Sequence, residues 1–189
     1  NQYSKVQICS TRFPNVLFSK GSISESIKYN TLNNQIFGIP KNIKRYFITA
    51  NEASSIIFAS LEKQFDGFIS YPTNSLYGKS IDIITLCKKI NRLLKYKPVF
   101  FNNYSQAFDY SSKSIVNYSR IVLTKKTKGE KTIENFISSK EKSLNSSYTS
   151  LKKIKLPKTK IIDLEIKKLL GNKIIINKKY IINFINKLN

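Results

Sequence analysis

The stretch "SIDIITLCKKINRLLKYKPVFFN", residues 80–102, places two periodicities side by side. Ile81, Ile84, Leu86, Cys87, Ile90, Leu93 and Leu94 recur at the spacing of one face of an amphipathic helix. "KPVFFN" then gives a short β-prone run behind a proline, which reads as a strand. A helix followed at once by a strand is the repeating unit of an α/β fold.

The chain on either side continues the alternation. Upstream, "DGFISYP" is a strand opened by a turn, and Thr49 caps a helix through "ANEASSIIFASLEKQF". Glu52, three residues after Thr49, completes a capping box. The expected buried face of that helix is Ala53, Ile56, Ile57, Ala59, Ser60 and Leu61. "QIFGIPKNIKRYFIT" reads as a strand, a proline turn and a second strand. Further upstream, Ser22 or Ser24 caps a helix through "SESIKYNTLNN", and residues 6–13, "VQICSTRF", form a strand. Downstream, residues 102–119 are polar and loop-rich, and "RIVLT" is a strand. "KKTKGEK" is a basic turn and "TIENFISSKEKSL" a short helix. Residues 145–160 are rich in Ser and Lys without a clear period. "IIDLEIKKLLG" and "KKYIINFINKLN" read as helices, with "GNKIIIN" a candidate strand between them. The fold class is α/β, with too few strands for a full doubly wound sheet.

Composition narrows the chemistry. The 189 residues suit one domain, or one domain with an appendage, and 41% are apolar. No apolar run is long enough to span a bilayer. There is no His, which excludes a His-based triad and His-ligated metal. Cys9 and Cys87 lack metal-site spacing and read as reduced thiols, an expectation of a cytoplasmic protein. No metal site is expected. The chain contains no Met and opens on Asn1, which suggests a start inside a longer protein. The net charge of +22 admits a nucleic-acid partner. The abundance of Lys, Asn, Ile, Tyr and Phe, all with AT-rich codons, explains the lysines better than a polyanion partner does, so nucleic acid is not the favoured partner.

Four segments carry a family pattern in order: "STRFPNVLFSKGSI" at 10–23, "IKRYFITANEASSIIFASLE" at 43–62, "DGFISYPTNSLYGKSIDIITLCKKI" at 66–90 and "KGEKTIENFISSKEK" at 128–142. Together they resemble the C-terminal half of the nucleotide-sugar 4,6-dehydratases and epimerases of polysaccharide biosynthesis. These are CapD-like extended short-chain dehydrogenases, a group that includes UDP-N-acetylglucosamine 4,6-dehydratase. That family's pattern is Thr-Arg-Tyr-Gly-Asn-Val leading to Ser-Arg-Gly-Ser-Val, then Met-Thr-Arg-Phe-aromatic-Met-Thr followed by Glu-Ala, then Gly-Glu-Lys-Leu-x-Glu. The resemblance implies the C-terminal part of a Rossmann-like fold with a sugar-nucleotide-binding α/β subdomain, the N-terminal dinucleotide-binding half being absent from this chain. Residues 1–142 would hold the last sheet strands and the substrate subdomain, and 143–189 a Lys-rich helical extension. The glycine-rich loop and the Tyr-x-x-x-Lys pair would lie upstream, since no Lys stands four residues after Tyr3. No catalytic residue is therefore assigned, and the chain by itself is expected to be inactive.

The resemblance also implies site residues. Arg45 stands where the family has an arginine for the pyrophosphate, and a guanidinium suits that role by its planar fork of donors. Asn15 would touch the substrate, with an amide able to donate and accept. Glu130 would accept from ribose hydroxyls. Val16, Phe18, Ser19 and Lys20 would line the nicotinamide end of NAD or NADP, NADP being favoured. The substrate implied is a UDP-amino sugar, and the full-length protein would be a homo-oligomer. A surface arginine, a turn asparagine and a solvated turn glutamate are the ordinary alternatives at these positions. Pro14 and Phe18 stand where the family has glycine, Lys20 where it has arginine, and Thr127 where an arginine commonly precedes Gly-Glu-Lys. These departures leave a non-catalytic sugar-nucleotide-binding relative as a further alternative.

Overall fold

The computed structural model describes residues 7–110 and 117–155. Strands β1 (Ser10–Thr11) and β2 (Asn15–Val16) lead into helix α1 (Ile23–Leu32). Strands β3 (Phe37–Pro40), β4 (Lys44–Arg45) and β5 (Phe47–Ile48) precede α2 (Ala50–Ser60). Then come β6 (Phe68–Pro72), the single turn α3 (Asn74–Tyr77), β7 (Ile81–Asp82), α4 (Ile83–Leu93) and β8 (Lys97–Phe101). The series ends with α5 (Tyr104–Asp109), β9 (Tyr118–Thr124), β10 (Ser143–Asn145) and β11 (Leu151–Lys155).

Local chemistry sets the helix starts. Ser22 Oγ accepts from the Glu25 N–H, and the Glu25 carboxylate accepts from the Gly21 N–H at 3.0 Å. Thr49 and Glu52 form the expected capping box, a feature worth about 1 kcal/mol. Asp82 takes the N–H groups of Ile84 and Thr85 at the start of α4.

The helices cover two small cores. In one, α4 buries Ile83, Leu86, Cys87 and Ile90 against Ile27 of α1 and against Phe37, Ile39 and Ile121 of the sheet. Each large aliphatic side chain so buried stabilises the fold by about 1.5–3 kcal/mol. The buried position is Ile83 rather than Ile84, and Leu93 is 78% exposed, so the stripe lies slightly rotated from the sequence reading. The other core joins Ile48, Ala53, Ile56, Phe65 and Leu151. Here α2 buries Ala53, Ile56 and Ser60, whereas Ile57 and Leu61 face outward.

The α/β reading holds. β3, β9 and β8 form a fully parallel sheet in that order, and "IVL" and "VFF" are its central apolar runs. At Gly38 a Cβ would meet the Tyr104 hydroxyl at 2.8 Å, so the missing side chain leaves room on β3 for the tip of Tyr104. A second sheet runs β1-β6-β11-β10, with β1 parallel to β6 and the rest antiparallel. β2 pairs β5 in parallel, and β4 pairs β7 antiparallel. Among the described residues no helix is long and apolar enough to cross a membrane.

Several expectations are corrected. The strand expected over 6–13 is paired only at Ser10 and Thr11. The loop-rich middle contains α5, started by Asn103 accepting from the Gln106 N–H. The short helix expected through "TIENFISSKEKSL" does not form: Lys44 N–H binds the Thr132 carbonyl, and arginines on other elements draw Glu134 and Glu141 outward. Residues 143–155, expected in a helical extension, form β10 and β11, and β11 pairs along the whole of β6. Pairing with β6 and burial of Leu151 and Ile154 override the Lys-rich composition there. The two tail helices and the "GNKIIIN" strand fall outside the described residues.

Candidate functional site

The pairing of β2 with β5 sets Asn15 beside Phe47, so "FPNV" lies along "YFIT". The Asn15 amide donates from Nδ2 to the Tyr46 carbonyl at 3.3 Å and to Glu134 Oε2 at 3.2 Å. Two residues before Phe47, at the end of β4, the Arg45 side chain is 12% exposed. Its Nη1 donates to the carbonyls of Lys44 and Lys131, both at 2.9 Å. Its Nη2 meets Glu130 Oε1 at 3.1 Å, and its Nε meets Glu134 Oε1 at 3.4 Å. Glu130 also accepts the Thr127 N–H at 3.2 Å.

Asn15, Arg45 and Glu130, chosen from sequence for the substrate, therefore converge in space. Glu134 joins the first two. Arg45 has five N–H donors: three are hydrogen-bonded through Nη1 and Nη2, and Nε lies in an ion-pair contact with Glu134. Among the described residues one Nη2 hydrogen is left for an incoming acceptor. The guanidinium thus offers one charge-assisted hydrogen bond, not the open fork expected from sequence.

A second arginine clamps the same irregular segment. Arg12, next to β1, donates from Nη1 and Nη2 to the two oxygens of Glu141 at 2.8 and 2.6 Å. Its Nη1 also reaches the Phe136 carbonyl at 2.9 Å. The Arg12 hydrogen bonds, with help from the Ser138 N–H, hold the Glu141 carboxyl down at a pKa of about 2. The same pairing raises the Arg12 pKa.

Clamping fixes Phe136 in an aromatic trio. Its ring lies 4.9 Å from Tyr77 and 5.6 Å from Tyr46, and those two tyrosines are 4.7 Å apart. A cavity of about 260 Å³ opens beside the trio, lined also by Tyr71, Asn74 and Glu134. Burial pushes the Tyr77 pKa up, so its hydroxyl stays protonated and donates to Asn74 Oδ1. Aromatic faces edged by amide and carboxylate groups suit a ligand with apolar faces and a polar rim.

The residues expected at a cofactor sit apart from Arg45. Val16 ends β2 and packs against the second core. Phe18 adopts φ +57° at a position where the resembled family has glycine. Its N–H donates to Ser24 Oγ at 2.8 Å, and its ring is 46% exposed with Lys28 Nζ 6.0 Å above it. Ser19 Oγ donates to the Val16 carbonyl, and Lys20 is exposed. No described hydrogen bond ties this turn to Arg45.

The sequence reading missed Glu134, Arg12, Glu141 and the aromatic trio. A signal existed for two of them. Glu134 is the last residue of the Gly-Glu-Lys-x-x-Glu pattern, and Arg12 belongs to the Thr-Arg pair of "STRFPN". Glu141 and the aromatics have no motif, and only the fold brings them together.

Comparisons with known proteins extend this picture. A family model described as "Polysaccharide biosynthesis protein" matches residues 1–156. Among solved structures, Pen from Bacillus thuringiensis matches with a TM-score of 0.56 at 18% identity. That match covers 84% of this chain and 42% of Pen, so the chain spans less than half the length of that protein. At this identity the likeness is one of fold. No curated protein matches the chain.

Proposed function

We propose, from the premise that the chain belongs to the polysaccharide biosynthesis protein family, that it supplies the substrate half of an enzyme acting on a UDP-amino sugar. The favoured substrate is UDP-N-acetylglucosamine. The observation that carries this reading is the convergence of Arg45, Asn15 and Glu130 beside the aromatic-lined cavity. On this reading the diphosphate meets the remaining Nη2 hydrogen of Arg45. Ribose hydroxyls donate to Glu130, and the pyranose ring lies against Tyr46, Tyr77 and Phe136.

The reaction proposed is a 4,6-dehydration, or epimerisation by the same opening step. A nicotinamide cofactor, NADP in preference to NAD, supplies hydride transfer at C4. A C4 ketone acidifies the C5 proton, water then leaves across C5–C6, and the hydride taken from C4 would be returned to C6 as C5 regains a proton. Toward that cofactor the described residues offer the exposed Phe18 ring, the Val16 side chain and the Lys20 ammonium. These suit apolar contact with a nicotinamide and charge pairing with a phosphate. The Ser19 hydroxyl is already engaged by Val16.

The test is calorimetric titration of UDP-N-acetylglucosamine into the protein carrying this chain. Loss of one hydrogen bond to a charged group costs about 1.5–3 kcal/mol, so Arg45→Ala should weaken binding about 10- to 100-fold. Equal affinity in wild type and Arg45→Ala removes Arg45 from the site. Absence of binding by wild type overturns the substrate assignment.

A further inference from the structure

We propose that Glu134 fixes the polarity of Asn15, so that the site reads a hydrogen-bond donor on the sugar. The inference rests on the substrate reading above and adds a positioning residue to it. An asparagine amide can present either its oxygen or its nitrogen to a ligand. Here both partners of the amide are pure acceptors: the Tyr46 carbonyl at 3.3 Å and the Glu134 carboxylate at 3.2 Å. Only Nδ2 can face them. The choice of oxygen and nitrogen therefore follows from the chemistry of the partners. Both amide hydrogens are used inward, and Oδ1 is left to accept from a ligand.

Glu134 is suited to this task and to little else here. Its Oε1 is held 3.4 Å from Arg45 Nε, so the carboxylate cannot rotate freely away from Asn15. Its side chain is 39% exposed and lines the aromatic cavity. A carboxylate this close to a diphosphate site repels the ligand. Diphosphate binding alone gives no reason for an acid beside Arg45. Orientation of the Asn15 amide does. The group recognised is then a sugar hydroxyl or an amide N–H, and a carbonyl oxygen at that position is refused by lone-pair repulsion.

The reasoning separates two ligands that share the diphosphate. In Glu134→Ala, Asn15 is free to flip, and affinity for UDP-N-acetylglucosamine should fall about tenfold, the worth of one hydrogen bond. UDP lacks the sugar and escapes the repulsion, so its affinity should be unchanged or up to about threefold tighter. In an Asn15→Ala background the Glu134→Ala change should cost the sugar nucleotide less than about twofold, because Glu134 acts through Asn15. The charge-conserving swap Asn15→Asp with Glu134→Gln restores an inward bond and an outward acceptor, and should recover part of the loss. Equal weakening of UDP and the sugar nucleotide overturns the proposal, as does a full Glu134→Ala loss that persists without Asn15. A ligand-free readout keeps the proposal separate from the substrate reading. The Asn15 side-chain amide signals in a ¹⁵N spectrum should exchange slowly with solvent in wild type and fast in Glu134→Ala. Unchanged signals refute the positioning role whether or not a sugar nucleotide binds.

Discussion

Protonating one carboxylate should unlatch the segment that carries Glu130, Glu134 and Phe136. Glu141 is held at a pKa of about 2, against an ordinary 4.5, first by the Arg12 hydrogen bonds and then by the Ser138 N–H. If that whole depression became folding stability it would be worth about 3.4 kcal/mol. Solvent reduces it, because the Glu141 side chain is 22% exposed and Arg12 is 38% exposed. Exposed ion pairs contribute about 0.2–1 kcal/mol, and a bidentate pair with an added backbone donor belongs at the upper end, about 1–1.5 kcal/mol. The sign follows from linkage. The folded pKa lies below the unfolded one, so the contribution is complete above about pH 5 and is lost as pH falls from 4.5 toward 2. Urea denaturation of wild type and Glu141→Gln at pH 7, 5 and 3 measures it. The variant should be less stable by about 1–1.5 kcal/mol at pH 7, with a melting temperature about 3–5 °C lower. By pH 3 more than about half of that difference should be gone. A difference that stays constant from pH 7 to pH 3 would refute the pairing as its source, and no difference at pH 7 would refute the latch itself.

Two further outcomes follow from the same geometry. Phe18 holds a left-handed φ without being glycine and buries only part of its ring, so Phe18→Gly should relieve local strain. After allowing for the freer unfolded chain, the gain is about 0.5–1 kcal/mol, read as a melting temperature about 2 °C higher; a lower one would mean that the ring contacts outweigh the strain. Burial pushes the Cys87 thiol up to about 12, only partly offset by its hydrogen bond from Asn91, so a thiol reagent at pH 8 should leave it unlabelled until the protein is denatured. Cys9 is half-buried and should be the cysteine labelled in the native state; rapid native labelling of Cys87, resolved by peptide mass, would contradict the packing of α4.

What the sequence made legible was the part written in local rules. The Thr49–Glu52 capping box, the helix α4 and the strands "FISYP" and "PVFF" depend on neighbours a few residues away, and each forms where the pattern put it, the α4 stripe being slightly rotated. Contacts at long range reversed the local reading elsewhere. Residues 132–144 carry acceptable helix formers, yet a helix there would turn Glu134 and Glu141 away from Arg45 and Arg12. Arg45 ends β4 and Arg12 directly follows β1, both fixed by other pairings, so the segment gives up its helix to meet them. Likewise "LKKIK" looks like solvated tail until β6 supplies an edge, whereupon Leu151 and Ile154 are buried and Lys153 lies over the Phe68 ring with its ammonium on the Gln64 carbonyl. The candidate site repeats this division. Asn15, Arg45 and Glu130 were readable because each sits in a short motif. Their relation to one another was not, because Glu134 couples Asn15 to Arg45, and Arg45 holds Glu130, across segments that meet only in the folded chain. That coupling changes the chemistry of the motif residues themselves. Arg45 read alone is an open fork for phosphate, whereas Arg45 between two carboxylates has one hydrogen left to give. On the proposed reading, the diphosphate depends on the geometry of the free Nη2 donor and the sugar on which way the Asn15 amide faces, and both are set by the acidic segment that the two arginines hold in place.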